Sequence, residues 1–419
     1  MSTQTSRYIY LPIFSLVLLM LFIQASVIHA KTKPRHQANV IHQKFSFITN
    51  LRSEHIYSPK SAIFSADGKK FYVNALEGKE TLVFDTETLE MLTVIPHTFD
   101  SENNALFLNN ENTLFDYEYN NCHDSGEHNT FSGKPVESTL THGGKYLWVT
   151  YYRRNCDYNA SSPSAIAIID TAEDKIVRVM PTGPLPKIVT TSNDGKYVAV
   201  THWGDNTIGI IDISSPDPSQ FFYHKHLIVG NRLNIKNISS NRDKVCGKCL
   251  RGTTFTNDSK YLLVSGMSSN KIYVFSTETW EEVGFVRLPM SNPRHFVINQ
   301  DGTKLYASFN KGGKIMELDV EDIIKNAPDN EKCFGRIIGI GRGARTIKLS
   351  KDGQRLYAVC NSTSSLTCID IPAWKIIDTI SVAPYAVGLA INQEESLAIV
   401  TSQGRHHHGG NNVAVFTIK

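Results

Sequence analysis

One short pattern recurs along the 419-residue chain, and it constrains the fold more than any bulk property. Its clearest copy is Ala62-Ile63-Phe64-Ser65-Ala66-Asp67-Gly68-Lys69-Lys70-Phe71-Tyr72-Val73. A second runs from Ile188 through Asn193-Asp194-Gly195-Lys196-Tyr197 to Ala199. Further copies centre on Asp258-Ser259-Lys260, Asp301-Gly302-Thr303 and Asp352-Gly353-Gln354. Two are degenerate, at His142-Gly143-Gly144-Lys145 and Gln393-Glu394-Glu395-Ser396, which makes seven. An alternating apolar segment, a turn and a returning β-rich segment form a hairpin signal.

About ten residues after each turn comes a second apolar stretch ending in Asp, as in Leu82-Val83-Phe84-Asp85 and Ile208-Gly209-Ile210-Ile211-Asp212. A fourth strand then leads out, as in Lys175-Ile176-Val177-Arg178-Val179-Met180. A repeated four-strand unit predicts an all-β, seven-bladed β-propeller. The turns fall at 68, 144, 195, 259, 302, 353 and about 395, so the two widest gaps predict insertions near 98–134 and 214–248. The last copy has only three strands, because Asn412-Val413-Ala414-Val415-Phe416 lies almost at the C-terminus. A ring must close to remove its edges. The spare strand Lys44-Phe45-Ser46-Phe47-Ile48-Thr49 is therefore expected to complete the final blade.

Residues 9–23 form an apolar run behind a single positive charge, Arg7, followed by a short polar stretch ending at Ala30. This layout predicts a secretory signal peptide over residues 1–30, with an uncleaved anchor as the alternative. The propeller then occupies 31–419 in a periplasmic or secreted protein, expected to be a monomer. In an oxidising compartment the seven cysteines can pair. Cys246 with Cys249, Cys360 with Cys368, and Cys122 with Cys156 are the candidate disulfides, leaving Cys333 over.

The Ser-x-Asp-Gly-Lys-x-Phe-Tyr-Val pattern, with Phe71-Tyr72-Val73-Asn74 and Asp85-Thr86-Glu87-Thr88, resembles the YVTN-repeat propellers of exported bacterial proteins. The resemblance runs from about Lys44 to the end. It implies the fold. Function does not follow from it, because such propellers serve as binding modules, surface proteins and parts of redox enzymes.

Aligning the copies by their turns places Lys60, Val136, Lys187, Arg251, Arg294, Arg345 and Val387 in equivalent positions at the start of the innermost strand. Lys and Arg together make up 43 of 419 residues, so five basic side chains in seven such positions exceed what composition supplies. A ring of like charge on low-dielectric walls focuses positive potential at one mouth of the channel. The loops between second and third strands lie on the same face. They bring Tyr152, Arg154, His202, Trp203 and Arg405, and His295 follows Arg294 directly. The expected partner is anionic: a small molecule, a glycan, a nucleic acid or a protein surface.

The net charge of +3 does not by itself indicate nucleic acid. No Gly-x-Ser-x-Gly elbow, phosphate-cradling loop or His-Glu-x-x-His motif occurs. The leading expectation is thus a non-catalytic binding module with no cofactor. The alternative is a propeller enzyme or metal-dependent redox component. Its transition metal would sit on His406, His407 and His408 with His202 and His295 near by.

Overall fold

The computed structural model describes residues 44–108, 113–114, 116–118, 129–235, 241–404 and 410–419. They form a seven-bladed propeller of antiparallel sheets; in blades 1 and 3 to 6 the strands run in sequence order from the axis outward, and blade 2 adds the short strand Thr98–Phe99 beside its innermost strand. The innermost strands are Pro59–Phe64, Phe131–Thr141, Pro186–Thr191, Leu250–Phe255, Pro293–Ile298, Ala344–Leu349 and Ala386–Ile391, in blades 1 to 7. The N-terminal strand Phe45–Leu51 pairs antiparallel with Asn412–Ile418 and supplies the outer strand of blade 7. Lys44 N donates to Lys419 O at 3.0 Å, and Lys419 N returns the bond to Lys44 O at 3.2 Å. The ring is closed by its own terminus, as the spare strand predicted.

The repeat motif folds locally for a reason visible in blade 1. Ser65 Oγ donates to Asp67 Oδ1 at 2.6 Å and accepts Lys70 N at 3.0 Å, while Asp67 Oδ1 accepts Lys69 N at 3.1 Å. Gly68 takes φ +71°, a region that L side chains rarely enter. The same hydroxyl-to-Asp bond of 2.6 Å recurs at Ser192–Asp194, Thr256–Asp258 and Ser350–Asp352. In blades 1, 2, 3 and 6 the Asp that ends the third strand ties down the next turn. Asp85 Oδ1 accepts Glu87 N and Thr88 N, at 2.9 and 2.7 Å.

Both faces of most central strands are buried, because each blade packs on two neighbours. Apolar clusters among the described residues map one to each interface between adjacent blades. Blades 4 and 5 share Leu263, Val274, Phe309 and Met316; blades 7 and 1 share Val413, Val415, Phe71 and Phe84. The core is thus a ring of equivalent interfaces around a channel.

Several expectations need correction. The second insertion is shorter than 214–248, since Phe222–Ile228 is the regular outer strand of blade 3. A short helix, Val320–Asn326, extends blade 5 where no insertion was predicted. Cys246 and Cys249 do form a disulfide. Cys360 and Cys368 are free and buried, as is Cys333. In the hairpin Cys360 faces Ser365, whereas Cys368 faces Tyr357, three residues before Cys360. Alternation of side chains therefore puts the two thiols on opposite faces of the sheet. Cys156 is disulfide-bonded; Cys122 and residues 1–43 lie outside the described residues. No helix among the described residues is long and apolar enough to cross a membrane.

Closure depends on one well-packed anchor. Phe45 is 4% exposed and meets the Tyr357 ring of blade 6 edge-on at 6.1 Å. Phe45→Ala is expected to cost about 3–5 kcal/mol of unfolding free energy. Urea denaturation checks this, and an unchanged midpoint would show that the N-terminal strand does not hold the ring.

Candidate functional site

Each innermost strand begins with an irregularity. Between Pro59↔Ala75 and Ala62↔Val73 the inner strand spends one more residue than its partner. Blades 2 to 7 show the same one-residue bulge just after Pro135, Pro186, Leu250, Pro293, Ala344 and Ala386. The aligned basic positions are the residues immediately after these. A β-bulge bends its strand and re-aims a side chain. Here it lies beside each basic residue at the mouth of the channel.

Hydroxyls from the second strands hold the bulges. Thr401 Oγ1 accepts Gly388 N at 3.0 Å and donates to Lys60 O of blade 1 at 2.6 Å. Ser308 Oγ likewise accepts His295 N at 3.2 Å and donates to Arg345 O of blade 6 at 2.7 Å. One blade thereby fixes the backbone that carries the next blade's cation. Gly388 fits because a Cβ there would lie 2.3 Å from Lys60 O. Thr401 and Ser308 are positioning residues that the aligned turns do not single out, although a Ser or Thr at this offset in several copies was a readable signal.

Lys60, Lys187, Arg251, Arg294 and Arg345 all line one cavity of about 900 Å³, together with Val136, Tyr152 and Trp203. Three carboxylates also line it: Glu77, Glu137 and Asp243. Arg251 Nη2 donates to Glu137 Oε1 at 3.0 Å, and Lys187 Nζ donates to Asp243 Oδ1 at 3.2 Å. Lys187 Nζ also sits 4.1 Å from the Tyr152 ring centre and 5.1 Å from that of Trp203. Asp243 comes from the second insertion, which the aligned blades could not place. Trp203 Nε1 donates to its backbone carbonyl at 3.1 Å.

Lys60 and Arg294 have no carboxylate partner among the described residues. Lys60 Nζ donates to the neutral Gln403 Oε1 at 2.6 Å. Arg294 Nη1 lies 4.0 Å from Met267 Sδ, and no described carboxylate forms an ion pair with it. Burial pushes the Lys60 ammonium well below its ordinary range, and the charges of Arg345, Arg251, Lys187 and Arg294 push it further. Burial also lowers Lys187 to about 8, despite the attraction of Asp243. Arg294 is lowered by burial first and then by Arg251 and Arg345. Asp243 is held below the usual carboxylate range, because Lys187, Tyr152 and Lys60 outweigh the opposing effect of its own burial.

Three other predicted residues do not reach the cavity. Arg154 ends the strand Tyr146–Arg154, is 1% exposed, and donates from Nε to Pro163 O at 3.1 Å. Its guanidinium braces a long strand where a loop was expected. His202 is fully buried: Nε2 accepts Gly183 N at 3.1 Å, and Nδ1 meets Thr207 Oγ1 at 2.8 Å. Both ring nitrogens are engaged in blade 3, and burial holds the imidazole neutral. His295 is not among the lining residues; burial, then Lys348, Arg251 and Arg294, depress it to about 3. Arg405, His406, His407 and His408 lie outside the described residues. Among the described residues no cluster of His, Cys, Asp and Glu could hold a metal ion. Tyr57, Tyr385, Asn361, Gln403 and Asn411 also line the mouth and were not foreseen.

No protein-family profile matches the chain, and no curated protein matches it. Among solved structures it is similar to the β-propeller domain of Myceliophteria thermophila Cps50 (Swd1). The TM-score is 0.61 at 10% identity, covering 90% of this chain and 100% of that one. At that identity the likeness establishes the fold alone.

A cation without a counter-charge is a cost to the folded state. Arg294→Met is therefore expected to stabilise the ligand-free protein by about 1 kcal/mol in low salt. Chemical denaturation measures this, and a loss of similar size would show that Arg294 is already compensated.

Proposed function

We propose that the protein is an exported YVTN-type propeller acting as a non-catalytic binding module, with an anionic ligand or partner held at the mouth of its central channel. One observation carries the reading. Basic side chains from five different blades converge on one cavity, and two of them, Lys60 and Arg294, form no ion pair with a described carboxylate. A protein tolerates such repulsion when function uses it, because an arriving anion relieves it and gains from low-dielectric walls. The repeat motif and the apolar N-terminal segment support the YVTN type and export.

Protonation sets the working range. The charged form of Lys187 attracts an anion, and its ammonium in the empty site titrates near 8. A bound anion raises that value. Affinity is therefore full below pH 8 and declines as pH rises through the interval between the empty and occupied values. Calorimetric titration with inorganic pyrophosphate tests the reading in 50 and 500 mM NaCl, conditions across which screening lengths differ by roughly threefold. Binding should weaken with salt and above pH 8, and Arg294→Ala with Arg345→Ala should weaken it by about tenfold or more. Unchanged binding in a folded double variant would remove the proposal.

A further inference from the structure

Both signs of charge meet at the mouth, and the mixture narrows the ligand class. Lys60 and Arg294 have no carboxylate partner among the described residues, yet Glu77, Glu137 and Asp243 line the same cavity. Glu77 Oε2 accepts Lys134 Nζ at 2.6 Å, and its other oxygen accepts no hydrogen bond from a described residue. Such mixed walls suit a ligand of low charge density with hydroxyls between its charges, because a hydroxyl donates to a carboxylate and accepts from a cation.

The side of the mouth formed by blades 7 and 1 also holds two aromatic rings with no internal use. Tyr57 is 51% exposed, Tyr385 is partly buried, and both line the cavity. Among the described residues neither phenol hydrogen-bonds, and neither ring packs on another ring or on a cation. Tyr152 and Trp203 differ, since Lys187 already lies against both. Gln403 N donates to Tyr385 O at 3.0 Å, and Asn411 Oδ1 accepts Ser58 N, next to Tyr57, at 2.7 Å. Gln403 Oε1 also accepts Lys60 Nζ at 2.6 Å, so one side chain joins a tyrosine-bearing segment to a cation without a carboxylate. The side-chain amide nitrogens of Gln403 and Asn411 donate to no described residue. The C–H face of a pyranose carries slight positive charge and packs on the negative face of an aromatic ring. A nucleotide would stack as well, but it concentrates about −1.5 to −2 charges on one phosphate beside these carboxylates, against one for a uronate.

Resting on the anion-binding reading above, we infer that the ligand is an acidic glycan. A uronate carboxylate pairs with Lys60, pyranose faces pack on Tyr57 and Tyr385, and hydroxyls meet Glu77 and the amides of Gln403 and Asn411.

The test is calorimetric titration of the intact protein at low salt with trigalacturonate, a hyaluronan tetrasaccharide, the methyl ester of trigalacturonate and adenosine monophosphate. At least one acidic glycan should bind about tenfold or more tightly than the neutral ester and than the nucleotide. Tyr57→Ala with Tyr385→Ala should weaken that glycan about tenfold while moving pyrophosphate affinity by less than about twofold. Tyr57→Phe with Tyr385→Phe should keep the glycan bound, since the ring faces remain. An ester equal to the acids would overturn the inference, as would alanine variants that leave glycan binding unchanged. A tenfold preference for the nucleotide over both glycans would overturn it in favour of a nucleobase on the same rings. Binding of pyrophosphate without either glycan would overturn it while leaving an anion site in place. Failure of pyrophosphate as well would remove the anion-binding reading itself.

Discussion

Antiparallel pairing between Phe45–Leu51 and Asn412–Ile418 turns a row of seven sheets into a ring, and the rest of the molecule depends on it. An open row would expose two edges and leave one interface without a partner. Closure makes the interfaces equivalent and directs the start of every innermost strand at one axis. Any residue type repeated at that register position is then concentrated in space. The chain uses this position for basic side chains in five blades and valine in two.

That concentration is unfavourable on its own. Burial lowers the proton affinity of Lys60 and Arg294, and the neighbouring charges of Arg345 and Arg251 lower it further. The bulges and the hydroxyl bridges from Thr401 and Ser308 keep the carrying backbones in place regardless. Rigid sheets thus hold charges that free chains would separate. Stability is given up at one mouth of the channel and recovered in the interfaces between blades. The anion-binding reading follows from this imbalance.

Much of the fold was legible because hairpin chemistry is local. Ser65, Asp67 and Gly68 specify a turn from within a few residues, and the repetition of that turn counts the blades. The register of basic residues was legible for the same reason, since a fixed offset from the turn fixes depth along the channel. Partners contributed by insertions were not. Asp243 follows a segment with no repeat to align it, yet it is the counter-charge of Lys187. Side-chain direction near strand ends was also hidden. Arg154 and His202 lie close in sequence to cavity residues, but an extended strand and a set of buried hydroxyls turn them inward. The thiols of Cys360 and Cys368 were misread because proximity in a hairpin was taken without its alternation.

Anomalous diffraction from crystals grown with selenate tests the central claim most directly. Selenate is a compact dianion whose position is read without assumptions about binding energy. The account predicts a strong peak in the channel mouth, within hydrogen-bonding reach of Arg294, Arg345 and Lys60. Ordered selenate elsewhere on the surface, with none in the mouth, would contradict it.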